Sequence, residues 1–133
     1  MDRYLINKTI KITNKIQFPK FLTTQRVEGH DCQDEAFLVE FDINNNLYDI
    51  NKGEKHQLVI SQEFDKEIDK GYQYVMYGKL FEIKLQENSN KQMVSHIYIS
   101  FGGLQCKFEA LTSKFDQRIR EGLRIYLMIK EDK

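Results

Sequence analysis

The chain has no tryptophan, one proline (Pro19), two cysteines and no net formal charge. Each scarcity excludes something. Two cysteines, Cys32 and Cys106, are too few for the disulfide framework of a small secreted domain. At 133 residues the chain buries a real core without one, and that length suits a single domain spanning 1–133. Twenty acidic residues balance twenty basic ones. A nonspecific nucleic-acid binder draws most of its affinity from phosphate neutralisation, so this balance weighs against one. No apolar run approaches the ~18 residues of a membrane span. The opening "MDRYLINKTIKITNKI" has no continuous apolar segment of the signal-peptide kind. Together these features predict a soluble intracellular protein with reduced thiols.

Motifs for chemistry are scarce too. No glycine pattern suits a phosphate, since "GGL" has neither the spacing nor the following helix. No G-x-S-x-G nucleophile elbow occurs. His30 and Cys32 form a lone H-x-C pair, whereas zinc wants four ligands and usually a C-x-x-C half. The plain expectation is a loop histidine at His30, a loop or edge cysteine at Cys32, strand histidines at His56 and His96, and a buried thiol at Cys106. Asp65, Glu67 and Asp69 fall in a charged loop, and Glu40 and Asp42 on the polar face of a strand. Solvated carboxylates are the expectation at all five. No constellation supports an enzyme, a metal or a cofactor.

What is abundant is alternation, with phenylalanine and tyrosine prominent in it. Ile10 and Ile12 alternate with lysines, with Ile16 further on. Phe37, Val39, Phe41 and Ile43 share one parity. Leu58 and Ile60 fit a short strand. Val75, Tyr77, Phe81, Ile83 and Leu85 likewise share a parity, broken by Lys79. Ile97, Ile99 and Phe101 form a series, as do Leu104, Cys106, Phe108 and Ala110, and then Leu123, Ile125, Leu127 and Ile129. Period two over four to eight residues argues strands. About eight of them, with few helix signals, predict an all-β barrel or sandwich.

Turn signals separate the runs. "NNNLYDINKGEK" (44–55) carries three asparagines and a Gly53 turn. "QEFDKEIDKG" (62–71) is charged and expected to be exposed. "QENSNKQ" (86–92) has the character of a hairpin loop. "TSKFDQRIREG" (112–122) is expected to hold one helical turn ending at Gly122. Apolar positions are odd before Gly102-Gly103 and even after it, so a tight turn there makes 94–101 and 104–110 antiparallel neighbours. Gly78, inside a long strand, marks a bulge, a barrel corner or a close backbone approach.

The aromatics admit two uses. Tyr72, Tyr74, Tyr77, Phe81, Tyr98 and Phe101 could stack bases, with Lys79, Lys84 and Lys107 supplying charge. Alternatively most of these rings fill the core or meet a protein. Both parities are apolar around Tyr74–Tyr77, which predicts one face in the core and the other at an interface. The neutral charge favours core plus protein interface, and leaves a free single-stranded nucleic-acid-binding barrel (Tyr72, Tyr74, Lys84) as the alternative.

"YVMYGK" (74–79) and "SFGGL" (100–104) together resemble the signature of the small eighth common subunit shared by eukaryotic nuclear RNA polymerases I, II and III. "FLVEFDINNNLYDINKGEKHQLVIS" (37–61), "RIYLMIK" (124–130) and, more faintly, "RVEG" (26–29) extend the likeness over roughly 21–130. The resemblance implies an eight-stranded antiparallel barrel related to the oligonucleotide/oligosaccharide-binding fold. It implies a non-catalytic nuclear and nucleolar subunit docking on the largest polymerase subunit. Carried over onto the motifs, Tyr77, Gly78, Lys79, Phe101, Gly102, Gly103 and Leu104 are expected at or beside that contact. Gly78→Val is expected to weaken incorporation while leaving a folded barrel.

Overall fold

A computed structural model describes residues 3–18 and 23–132. Pro19 and the first residues of the 21–130 likeness lie outside them. Eight strands run β1 (Tyr4–Gln17), β2 (Thr24–Asp31), β3 (Asp34–Asn44), β4 (Lys55–Ser61), β5 (Tyr74–Glu87), β6 (Met93–Phe101), β7 (Leu104–Leu111) and β8 (Arg124–Glu131). All neighbours are antiparallel, and the sheet closes on itself in the order β1-β2-β3-β7-β6-β5-β8-β4. The expectation of an eight-stranded antiparallel barrel holds. Closure removes the open edges that a flat sheet would present wherever a strand is paired on both sides.

The core is the set of inward positions that alternation marks out. Ile10, Ile12, Phe37, Val39, Phe41, Ile43, Leu58, Ile60, Ile97, Ile99, Cys106, Phe108, Ile125, Leu127 and Ile129 are all buried in one cluster. Phe37 meets Phe108 edge-on at 6.1 Å, and Phe115 from the β7–β8 connection packs on Phe37 at 5.3 Å. Cys106 is the buried thiol that was expected. Burial pushes its pKa well above the ordinary value, with the carboxylates of Asp42 and Glu40 adding to the rise, which keeps it protonated.

Two alternation readings and one turn reading need correction, and the first two trace to bulges. In β1 the register slips between Ile12 and Asn14, so Ile16 leaves the core and is exposed. In β5 the inward residues are Tyr74, Met76, Gly78 and Leu80, while Val75, Tyr77, Lys79 and Phe81 point out. A slip between Leu80 and Glu82 then turns Ile83 partly inward. The odd-numbered series therefore mixes two faces. Third, the 112–122 segment holds a single 3₁₀ turn at Thr112–Lys114 rather than a turn ending at Gly122. Gly122 instead lies in a later turn, with φ +90°.

His30 stands in β2, not in a loop, while Cys32 lies exposed in the following turn. Among the described residues no three His, Cys, Asp or Glu side chains converge as metal ligands.

Candidate functional site: an outward aromatic strip and the glycine turn

Register alone builds the strip. β5 pairs β8 with Val75 opposite Met128, Tyr77 opposite Tyr126 and Lys79 opposite Arg124. β4 continues the first two rows with Val59 and Ser61. Cross-strand partners project to the same side, so these residues share the outer face of the barrel. Tyr77 and Tyr126 rings meet at 4.6 Å, and Phe64 leans on Tyr126 at 5.8 Å. Tyr77 is half exposed, Val75 is 39 % exposed and Phe64 37 %. Lys79 and Arg124, both exposed, end the strip with two positive charges. Among the described residues neither stands in an ion pair. An apolar strip ending in two unpaired cations suits a protein surface with an apolar patch beside an acid.

One side of the strip is held by the β4–β5 loop. Its Asp69 was expected to be solvated, yet its side chain is fully buried. Asp69 Oδ1 accepts from Arg3 Nη1 at 2.6 Å and from Tyr4 Oη at 2.8 Å, and Oδ2 accepts the Asp65 N–H at 2.8 Å. Burial alone would raise the Asp69 pKa. The hydrogen bonds from Arg3, the Asp65 amide and Tyr4 outweigh it and hold the carboxyl below the usual range. This carboxylate ties the loop, and Phe64 with it, to the start of β1.

The other motif sits beside the strip. Gly102 and Gly103 have φ +66° and +112°, so both central residues of the β6–β7 turn are left-handed, as a two-residue type I′ hairpin requires. Lys79 pairs with Ser100, which brings this turn next to Tyr77 and Gly78. Gly78 is the close approach foreseen for it. A Cβ there would run into the Ser100 carbonyl and stand 2.6 Å from Phe101 Cδ1. Gly78→Val would therefore damage the barrel itself, so the expectation of a folded variant is withdrawn.

The turn is braced from behind by Asp42, a second buried carboxylate expected to be solvated. Its oxygens take Arg26 Nε at 2.7 Å and Nη2 at 3.2 Å, and Oδ2 also takes the Gln105 N–H at 3.0 Å. Arg26 in turn lies 5.1 Å from the Phe18 ring centroid. With Gly102, Gly103 and Leu104 these groups line a groove of about 490 Å³.

The seven residues expected at the contact thus divide. Tyr77 and Lys79 face outward on the strip. Gly102, Gly103 and Leu104 form the neighbouring turn. Gly78 and Phe101 face inward and shape the backbone beneath. Phe64, Tyr126 and Arg124 belong to the strip and were missed. The signal for Tyr126 and Arg124 was their parity in "RIYLMIK", opposite to the core residues.

The nucleic-acid alternative loses its platform. Tyr74 is buried, stacked 5.7 Å from Tyr48, and its hydroxyl oxygen accepts the Asn44 N–H at 3.1 Å. Phe101 is also buried. Tyr72 lies under Lys130, with Nζ 4.9 Å from its centroid. Lys84 and Lys107 sit together over Tyr98, each 5.6 Å from the centroid. The six rings do not share one surface, and base stacking needs exposed faces in a row.

Residues 7–131 match the family model described as RNA polymerase Rpb8. The chain belongs to the RNA polymerase Rpb8 family. Among curated relatives, a protein of Caenorhabditis briggsae named probable DNA-directed RNA polymerases I, II, and III subunit RPABC3 is 28% identical over 125 residues, covering 80% of this chain and 82% of its own. The Caenorhabditis elegans protein of the same name matches to the same extent. An Arabidopsis thaliana protein named DNA-directed RNA polymerases II, IV and V subunit 8B is 29% identical over 100 residues, covering 64% of this chain and 66% of its own.

Proposed function

We propose that this member of the Rpb8 family is a non-catalytic structural subunit of the nuclear DNA-dependent RNA polymerases I, II and III. It works in the nucleus, the nucleolus included through polymerase I. It docks on the largest subunit and supports assembly for transcription. The observation that carries this reading is the family match across residues 7–131, which runs from within β1 to the end of β8. The contact is the strip of Tyr77, Tyr126 and Phe64 with Lys79 and Arg124 at its end, together with the Gly102-Gly103 turn. The glycine turn leaves no side chain between the barrel and its partner, so main chain can approach closely.

The test is affinity purification of the tagged chain from its own cells, with mass spectrometry of what accompanies it. Largest subunits of all three nuclear polymerases are expected in stoichiometric amounts. Recovery of RNA without polymerase subunits would overturn the reading and return single-strand binding to first place.

A further inference from the structure

β5 is paired on both sides only as far as Leu80. Its ladder with β8 runs from Tyr74 to Lys79, and Leu80 closes it by donating to the Leu123 carbonyl at 2.8 Å and accepting from the Gly122 N–H at 2.7 Å. Beyond the slip at Leu80/Glu82, β5 continues to Glu87 with β6 alone as its neighbour. Which backbone groups face away from β6 follows from two bonds. At the hairpin end the Asn88 N–H donates to the Gln92 carbonyl at 2.9 Å, so even-numbered residues bond across to β6. The Ile83 N–H points the other way and donates to Glu121 Oε2 at 2.9 Å. With period two, the N–H and C=O groups of Leu85 and Glu87 project from the same outward edge as Ile83. Glu121 supplies there the acceptor that a neighbouring strand's carbonyl would supply.

Alongside this edge runs a groove of about 210 Å³, lined on its apolar side by Ile83, Leu85, Ile97, Phe115 and Ile119. Leu85 is 61 % exposed, a large apolar side chain with little cover. Asp116 also lines the groove, but it is held by Arg118 at 2.7 Å. Glu87 at the end of the strand and Glu121, which reaches the Ile83 N–H, are both exposed. Among the described residues neither stands in an ion pair.

We propose that the outward edge of β5 at Ile83–Glu87 accepts an extended segment of a partner protein as an added strand. Three features select the occupant. The outward main-chain groups of Leu85 and Glu87, which have no hydrogen-bond partner among the described residues, stand at strand spacing and require an extended backbone. The groove takes an apolar side chain at alternate positions of that segment. The two carboxylates, neither in an ion pair among the described residues, favour a lysine or arginine beside them. This contact is separate from the aromatic strip, which lies on the two-sided half of β5.

Amide hydrogen exchange distinguishes the possibilities, comparing the free chain with the same chain inside polymerase isolated from its cells. Amides of Leu85 and Glu87 are expected to exchange rapidly in the free chain and at least tenfold more slowly in the complex. Leu85→Pro removes an outward N–H that the barrel does not use, so it is expected to fold normally and, having no amide of its own to read, to lose the protection at Glu87. Leu85→Val keeps the N–H and is expected to retain it. Equal exchange at Leu85 and Glu87 in both states would overturn the proposal. So would protection in the free chain that grows with its own concentration, because the occupant would then be a second copy.

Discussion

The two halves of β5 carry similar side chains and do different things. Residues 74–80 sit between β6 and β8, bury Tyr74, Met76 and Leu80, and show Tyr77 to solvent. Residues 82–87 have one neighbour, and Leu85 is largely exposed. An apolar residue in the first half is held by the barrel. One in the second half is available to another molecule. Pairing on the second side, not hydrophobicity, separates them. A strand is committed to a core only as far as both its neighbours extend.

Substitutions sharpen that contrast. The largest effect is expected at Gly78, where valine drives a side chain into the backbone of Ser100. A loss of about 3 kcal/mol or more in chemical denaturation is expected, since neither strand can yield without breaking its ladder. Next, Leu80→Ala empties a fully enclosed site and is expected to cost roughly 3 kcal/mol, whereas Leu85→Ala should cost under about 0.5 kcal/mol. Equal costs for that pair would erase the distinction between the halves.

Acid should act through Asp69. Its carboxyl is held below the usual range in the folded chain, so its contribution is complete above the ordinary aspartate value of 3.8 and is lost as pH falls through the lowered value. Wild type is therefore expected to be more stable than Asp69→Asn near neutrality. The two denaturation midpoints should converge below pH 3.8. A modest effect on stability is expected for Tyr77→Ala, about 1 kcal/mol from its ring contact with Tyr126. The same variant should be recovered with polymerase subunits in clearly reduced yield, which a merely structural ring would not produce.

Much of the barrel was legible because its strands obey one rule. Where a strand keeps its register from end to end, as β3, β6 and β7 do over their core residues, parity alone names the buried side chains. The paired glycines announce their turn because few other residues adopt two left-handed conformations in succession. Parity fails at Ile16 and along β5, where a bulge inserts one residue and exchanges the faces without a mark in composition. It fails differently at Asp42 and Asp69. Their burial depends on Arg26, opposite Asp42 in the β2–β3 register, and on Arg3, 66 residues from Asp69, and a carboxylate's solvation cannot be read without its partner. The strip itself was half visible. Tyr77 stood out in an apolar run, but Tyr126 joins it only through the β5–β8 register, and Phe64 only through a loop pinned by Asp69.

The barrel closes by joining β4 to β8, the last strand to be synthesised. Until β8 leaves the ribosome, β4 and the first half of β5 both lack their neighbour. Tyr74, Met76 and Leu80 then have no complete interior to enter. Pairing so distant in sequence is slow to form, because the intervening chain must be looped before any bond rewards it. Nascent chains of this protein therefore spend their synthesis time with two sticky strand edges on display. Premature stops before Arg124 should yield aggregates rather than a smaller barrel, and chaperone demand should fall only once the final strand is in place.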